Sequence, residues 1–361
     1  MSQSREIETL LLLVRAGIYK DAGVLSDFPK LRDDQWEGVY AHAKRQTVSG
    51  VVCDALSFLD EEKIPPYKLL LRWVARTHKI ESAYAHMGKN LGYLIGLFRR
   101  SGVEPVLQKG HSVARFYPNP ALRVCGDIDF CFTPERRAMA DNIISVNGVS
   151  VRRSPDSSSS YCWNGTDVEH HTWLIQLHSP FHASALREVL GECSTMNVEL
   201  LPGVKATVLS PLEDLLMINV HIMKHSFGVG IGLRQFCDYA LAYVALMPQI
   251  GEEAYAEACR RLGIARWTDT LHRFINSYLA NPVCLLPYIS DYDSERAVRL
   301  LFDMVMDGGN FGHYRTEQLR GRWFHKMGTL LSFLRHASLW VRIAPAEALG
   351  IMMRLVRGQM I

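Results

Sequence analysis

Lys109-Gly110-His111-Ser112, followed fourteen residues later by Gly126-Asp127-Ile128-Asp129-Phe130, is the stretch on which the reading of this 361-residue chain turns. Residues two apart on a β-strand project to the same side. Asp127 and Asp129 are therefore expected on one face, with Ile128 and Phe130 turned to a core behind them. Two carboxylates so placed repel. A hard divalent cation between them removes the repulsion and can bridge triphosphate oxygens. A solvated edge strand carrying two ordinary surface acids accounts for the Asp-x-Asp pattern alone equally well.

Upstream, an apolar strand ending at Leu107-Gln108 runs into Lys109-Gly110-His111-Ser112 and then a helix, so lysine, serine hydroxyl and turn amides can converge on an anion. The spacing is not that of a Walker A loop, and a plain strand-to-helix turn capped by Ser112 is the simpler account of that segment by itself. Two-metal phosphoryl chemistry also needs a third carboxylate from a neighbouring strand. The segment Thr166-Asp167-Val168-Glu169-His170-His171-Thr172-Trp173 is its natural source. Alternation puts Asp167, Glu169 and His171 on one face, and Val168, His170 and Thr172 on the other. Glu169, at mid-strand, is the first choice for the third acid, with Asp167 as the fallback.

The rest of the chain frames this unit as an α+β fold. Residues 1–102 read as helical, with Asp33-Asp34 able to cap a helix, Pro65-Pro66 ahead of a long apolar-periodic run, and Gly102 as its stop. Residues 103–209 read as an α/β core. Its strands fall near 105–107, 128–132, 149–152, 168–177, 198–201 and 206–209, and its helices near 111–117 and 134–146. Ser154–Ser160 is its one loop-like stretch, a hairpin tip or a segment beside the site. From Ser210-Pro211-Leu212-Glu213, a capping box with proline at the first helical position, residues 210–361 are helical again.

With 48% hydrophobic and 21% charged residues, the chain can bury a large core without covalent staples. A net charge of +3 carries no strong nucleic-acid signal, so any anion site must be local. Eight scattered cysteines without a Cys-x-x-Cys pair, no export signal and no uncharged apolar run of about 18 residues lead to the expectation of a cytoplasmic protein with no transmembrane segment.

Taken together, Leu107-Gln-Lys-Gly-His-Ser, Tyr117-Pro118, Arg123, Gly126-Asp-Ile-Asp-Phe, Val168-Glu-His-His, Asn219-x-His221-x-x-Lys224-His225, Leu233-Arg234 with Asp238, and Gly309-Asn-Phe-Gly resemble the uncharacterised nucleotidyltransferase family of the polymerase-β-type superfamily. The resemblance spans roughly residues 65 to 315. It implies a minimal nucleotidyltransferase mixed sheet flanked by helices, with helical additions on both sides. By the same resemblance Asp127 and Asp129 hold Mg²⁺, with Mn²⁺ as the alternative ion, Glu169 completes the acid set, and Gly110 and Ser112 contact the triphosphate. Lys109, Arg123, His221, Lys224 and His225 join the expected nucleotide-binding set. Gln108 stands where an apolar residue is usual, and His111 brings a bulky ring to a turn that usually carries a small residue.

Other constellations have simpler accounts. His221 and His225, four apart on a helix, could share a zinc ion with His170-His171, but no zinc-hydrolase signature accompanies them. Arg234 and Asp238 fit a surface i,i+4 pair or a supporting role near the site. Arginines among the apolar residues of 323–361 suit either an acidic membrane surface or a packed helix pair. The implied activity is Mg²⁺-dependent transfer of a nucleoside monophosphate from an NTP, with ATP expected, to an unknown acceptor hydroxyl or phosphate, releasing pyrophosphate. The alternative is a catalytically degenerate fold that binds a protein partner, in a toxin–antitoxin or surface-polysaccharide setting, and His111 is the residue that points to it.

Overall fold

The computed structural model describes residues 2–154, 158–172, 175, 177, 179, 182–190, 194–227, 230–280, 284–309 and 337–356. Trp173, the middle of the Ser154–Ser160 stretch, the Asn281-Pro282 step, Asn310-Phe311-Gly312 and residues 323–336 and 357–361 of the tail lie outside them.

Four helices open the chain: α1 (Ser2–Tyr19), α2 (Asp33–Arg45), α3 (Ser49–Ala55) and α4 (Tyr67–Arg100). Asp33 and Asp34 occupy the first turn of α2, where they complement its positive end, and the cap position itself belongs to Arg32, whose N–H donates to Gln35 Oε1 at 3.0 Å. At about 1.5 Å per residue, the 34 residues of α4 span roughly 50 Å. The helix stops at Gly102, which takes φ +75°.

The middle of the chain forms a seven-stranded mixed sheet from β1 (Val106–Gln108), β2 (Asp127–Cys131), β3 (Arg152–Arg153), β4 (Ser159–Trp163), β5 (Thr166–His171), β6 (Thr195–Leu201) and β7 (Val204–Leu209). Their spatial order is β3-β4-β5-β2-β1-β7-β6. Strand β1 is antiparallel to β2 and parallel to β7, and β2 is parallel to β5. Interspersed are α5 (His111–Ala114), α6 (Pro134–Val146) and α7 (Ala183–Leu190). The strand expected over 149–152 is confined to Arg152–Arg153, and the one expected over 168–177 begins at Thr166 and ends at His171. Strand β4 was not expected. It pairs with β5 through Asn164-Gly165, both at positive φ, the geometry of a two-residue hairpin turn.

Helices α8 (Pro211–Phe227), α9 (Leu233–Ile250), α10 (Glu252–Arg261), α11 (Ala265–Tyr278) and α12 (Glu295–Gly308), with a helix at Pro345–Val356, complete the fold. The expected capping box is replaced by a side-chain contact: the Ser210 hydroxyl donates to the Glu213 carboxylate, while the Ser210 N–H goes to the Ser194 carbonyl at 3.0 Å. None of the described helices is long and apolar enough to cross a membrane.

Two apolar cores result. One lies between the sheet and the C-terminal half of α4, where Leu94 and Phe98 meet Leu107, Ile128, Phe130, Val168 and Val208, with Ala140 and Ile144 of α6. On the same face a buried polar clamp joins α6 to the sheet, with Asp141 bonded to His170 at 2.9 Å and to Ser159 at 2.6 Å. The other core is helical and continuous from Leu13, Val52 and Trp73 to Phe236, Phe274 and Val305, so the first and last thirds of the chain share one interior. Backbone ties run across it: Tyr19 donates to the Leu279 carbonyl, and Gln46 both donates to the Val305 carbonyl and accepts from Leu233 N–H, each at 2.9 Å.

Within the helical core His272 is fully buried, donating from Nδ1 to the Pro287 carbonyl at 2.5 Å while Nε2 accepts from the Tyr239 hydroxyl at 2.7 Å. Burial pushes its pKa down to about 4, against the ordinary value near 6.5. Between those two pH values the unfolded chain therefore binds more protons than the folded one. The stability that neutral His272 carries is complete above pH 6.5 and declines as pH falls to 4, by on the order of 3 kcal/mol. Chemical denaturation across this range, with the His272 ring followed by NMR, is expected to show the decline and a ring that stays neutral until about pH 4. A ring titrating near 6.5 would contradict the buried, neutral assignment.

Candidate functional site

The parallel pairing of β2 with β5 sets Asp129 opposite Glu169 and Asp127 opposite Asp167. Because Ile128, Phe130 and Val168 are buried in the sheet core, alternation turns the acids to the opposite face. There they meet a cleft of about 350 Å³ whose far wall is built from α8 and α9. Asp127, Asp129 and Glu169 all line this cleft, and Lys109 and Gly110 line it beside them. Asp167 is exposed and does not line it.

The glycine turn is specified by backbone geometry. Lys109 and Gly110 have φ of +50° and +48°, and a Cβ at Gly110 would stand 3.2 Å from the Asp127 carbonyl oxygen. Holding a lysine in the left-handed region costs about 1 kcal/mol. The result brings its ammonium to 3.7 Å from Asp129 Oδ2 at the cleft surface. Helix α5 is a single turn, so its dipole offers an anion little; the charge at this bend comes from Lys109.

Ser112 and His111 both face away from the cleft. Ser112 is fully buried, its Oγ accepting from Arg115 Nη1 at 2.6 Å, and Arg115 in turn pairs with Asp214 at 2.8 Å. The His111 ring is 2 % exposed, stacked on Tyr84 of α4 with centroids 4.1 Å apart, and its Nε2 reaches the Tyr84 carbonyl at 3.1 Å. Burial holds its pKa down at about 4. The bulky ring that the sequence sets in the glycine turn is thus withdrawn into the helix–sheet junction, and the expected crowding does not arise. Gln108, also buried, sits opposite Asp129 in the β1–β2 ladder.

Electrostatics differ sharply between the two aspartates. Burial, reinforced by the neighbouring Asp129 charge, raises Asp127 to about 6. For Asp129 burial works in the same direction, but Lys109 and a 2.7 Å hydrogen bond from His171 Nε2 outweigh it and hold the carboxyl down at about 2. His171 also stands 3.4 Å from Glu169 Oε2. Burial alone would depress its pKa, yet its bonds to Asp129 and Glu169 carry it up to about 9. Asp129, Glu169 and His171 can each offer one ligand atom, all lying within 4.8 Å of one another.

The far wall carries His221, His225 and Arg234. The two histidine rings are 4.2 Å apart, and burial next to Lys109 keeps both neutral, His225 with a pKa of about 3. His170 points to the other side of the sheet, so the zinc grouping weighed from the sequence is not assembled. Lys224 is half-buried and does not line the cleft. Arg123 borders the cleft, but its guanidinium is engaged bidentately by Asp238, two bonds of 2.7 Å, and donates to the Gly110 carbonyl at 3.3 Å. Tyr117 donates to the same Asp238 at 2.7 Å. Asp238 is therefore a buried brace between α9 and the turn; the surface pair with Arg234 is not formed. Arg234 instead donates to the Val124 carbonyl, and its Nε has no hydrogen-bond partner among the described residues.

Sequence reasoning weighed His171 only in a zinc grouping with His221 and His225 and gave Arg234 and Asp238 only a supporting place. Alternation along β5 did place His171 with Glu169, which was the usable signal. Two stability outcomes follow from the geometry. His111→Ser is expected to cost about 2 kcal/mol in denaturant unfolding, through the lost ring stack and the cavity left behind, while nucleotide affinity changes less than about twofold. Asp238→Asn, which leaves Arg123 buried with a weakened partner, is expected to cost about 3 kcal/mol in the same measurement.

A model of the family described as uncharacterised nucleotidyltransferase matches residues 32–280, more than half of the chain. No curated protein matches. Among solved structures, an antigenic nucleotidyltransferase-like protein from Paracoccidioides brasiliensis aligns at 11% identity over 53% of this chain and 90% of its own, with a TM-score of 0.33, a likeness that carries no argument here. The extent of the family match, reached independently of the cleft geometry, shows that this chain belongs to the uncharacterised nucleotidyltransferase family.

Proposed function

We propose that the protein transfers a nucleoside monophosphate from an NTP, with ATP the expected donor, to an acceptor hydroxyl or phosphate, releasing pyrophosphate. The observation that carries this reading is the convergence of Asp127, Asp129, Glu169 and Lys109 on one cleft beside the Gly110 turn. Asp127 has no hydrogen-bond or ion-pair partner among the described residues, and burial, followed by the Asp129 charge, raises its pKa to about 6. Such a set of hard oxygen donors fits Mg²⁺ or Mn²⁺, which Asp127, Asp129 and Glu169 would hold. When bound, the ion would neutralise triphosphate charge and acidify the attacking oxygen.

The chain's own groups divide the remaining work. Lys109 offers its ammonium to phosphate oxygens at the mouth of the turn. Gly110 lets a phosphate approach backbone that any side chain would block. Met217, Ile218 and Ile222 give the far wall an apolar surface that excludes water, and His221 and His225 present neutral imidazoles to the bound nucleotide. Arg234 adds a second cation on that wall. In the transfer step the acceptor oxygen bonds to the α-phosphorus as the bond from α-phosphorus to the bridging oxygen breaks. The electron pair leaves with pyrophosphate, and the acceptor proton passes to the Glu169 carboxylate. The binding-module alternative rested on His111, and the withdrawal of that ring onto Tyr84 removes the reason to favour it.

Calorimetric titration with ATP and Mg²⁺ is expected to give saturable binding that weakens at least about tenfold, roughly 1.4 kcal/mol, in Asp127→Asn/Asp129→Asn. Wild type with α-phosphate-labelled NTP and a cell lysate is expected to label an acceptor, and the double variant is not. Identical titrations for the two proteins would remove the site assignment. Binding without label transfer from any NTP would favour the partner-binding module.

A further inference from the structure

The carboxylates of the cleft do not stand alone on their strand. His171 Nε2 lies 2.7 Å from Asp129 Oδ1 and 3.4 Å from Glu169 Oε2, on the cleft side of β5. Ligand atoms around a six-coordinate divalent ion at about 2.2 Å stand roughly 3 Å from one another. The two separations from His171 thus already match adjacent corners of such a shell, and all three ligand atoms lie within 4.8 Å of one another. Position along the strand supports the same conclusion. Asp129 and Glu169 are direct partners in the β2–β5 register, and His171, two residues beyond Glu169, is on the same face by alternation. His170, its neighbour in sequence, is fully committed on the opposite face to Asp141 and Tyr161, whereas the bonds of His171 run to the two acids.

We propose that His171 is a direct ligand of the divalent ion held at Asp129 and Glu169, and that its nitrogen makes this centre prefer Mn²⁺ to Mg²⁺. The proposal rests on reading the acids as a divalent-metal site. Its chemistry is that of the donor set: Mg²⁺ favours oxygen and retained water, whereas Mn²⁺ stands higher in the affinity order and accepts imidazole more readily. The ammonium of Lys109 stays outside this shell, on the opposite oxygen of Asp129, free to meet a phosphate. A purely structural His171 would instead act as a cation balancing the acids and would give way when a metal enters.

Pulsed electron paramagnetic resonance of the full chain loaded with Mn²⁺ separates these cases, with metal affinities measured in parallel by titration. Expected are ¹⁴N couplings of a directly bound imidazole in wild type, their loss in His171→Gln, and a fall in Mn²⁺ affinity of about tenfold or more with Mg²⁺ affinity changed less than about threefold. If His171→Gln fails to fold, retention of the couplings in His221→Gln/His225→Gln, which removes the two histidines that line the cleft, supports the assignment equally. Mn²⁺ bound in wild type and lost in Asp129→Asn, but without nitrogen coupling, overturns the role of His171 and leaves the metal site standing. Couplings that persist in His171→Gln overturn it as well. Absence of Mn²⁺ binding that depends on Asp129 overturns the metal-site reading itself, and this proposal with it.

Discussion

Mutual repulsion among three carboxylates, enforced by backbone hydrogen bonding, is the constraint around which the rest is arranged. The β2–β5 ladder fixes Asp129 opposite Glu169, and the pleat fixes Asp127 on the same side. None of these positions can be relieved by a one-residue slip, because that would drive Ile128, Phe130 and Val168 out of the core and the acids into it. The apolar face of the sheet therefore holds the charged face in its unfavourable arrangement. Partial relief comes from Lys109 and His171, both directed at Asp129, and it leaves Asp127 as the acid whose charge is least balanced.

The turn that delivers Lys109 is itself held from two sides. Arg123, clasped by Asp238 of α9, reaches the Gly110 carbonyl, and His111 is stacked on Tyr84 of α4. A left-handed lysine persists only where its surroundings over-determine it, and these two contacts do so from opposite directions. The helical shell thus takes part in the site twice, as the far wall of the cleft and as the clamp on its glycine turn.

Much of this was legible from residue order because it depends on short periods. Two-residue alternation along Gly126–Phe130 and Thr166–Thr172 was enough to pair the acids and to separate His170 from His171. Proline placement located the starts of α4, after Pro65-Pro66, and of α8, at Pro211, for the same reason. What escaped depends on contacts far apart in sequence. Asp238 looked like a surface partner of Arg234, four residues away, because nothing local announces that Arg123 and Tyr117 will reach it from more than a hundred residues upstream. His111 looked obstructive because its rotamer is set by α4. Strand β4 is a different case: Asn164-Gly165 is a recognised hairpin signal, and the serine-rich segment ahead of it obscured the strand it begins.

The continuous helical core has a consequence for the order of events at the ribosome. Leu13, Val52 and Trp73 belong to one apolar core with residues beyond 210, and the bonds from Tyr19 and Gln46 close onto the carbonyls of Leu279 and Val305. During synthesis the first hundred residues must therefore wait, with apolar surface uncovered, while the whole sheet is translated and exits the tunnel. The nascent amino-terminal helices are then a natural client for holdase chaperones. The last helices act as the closing piece that ends this exposure.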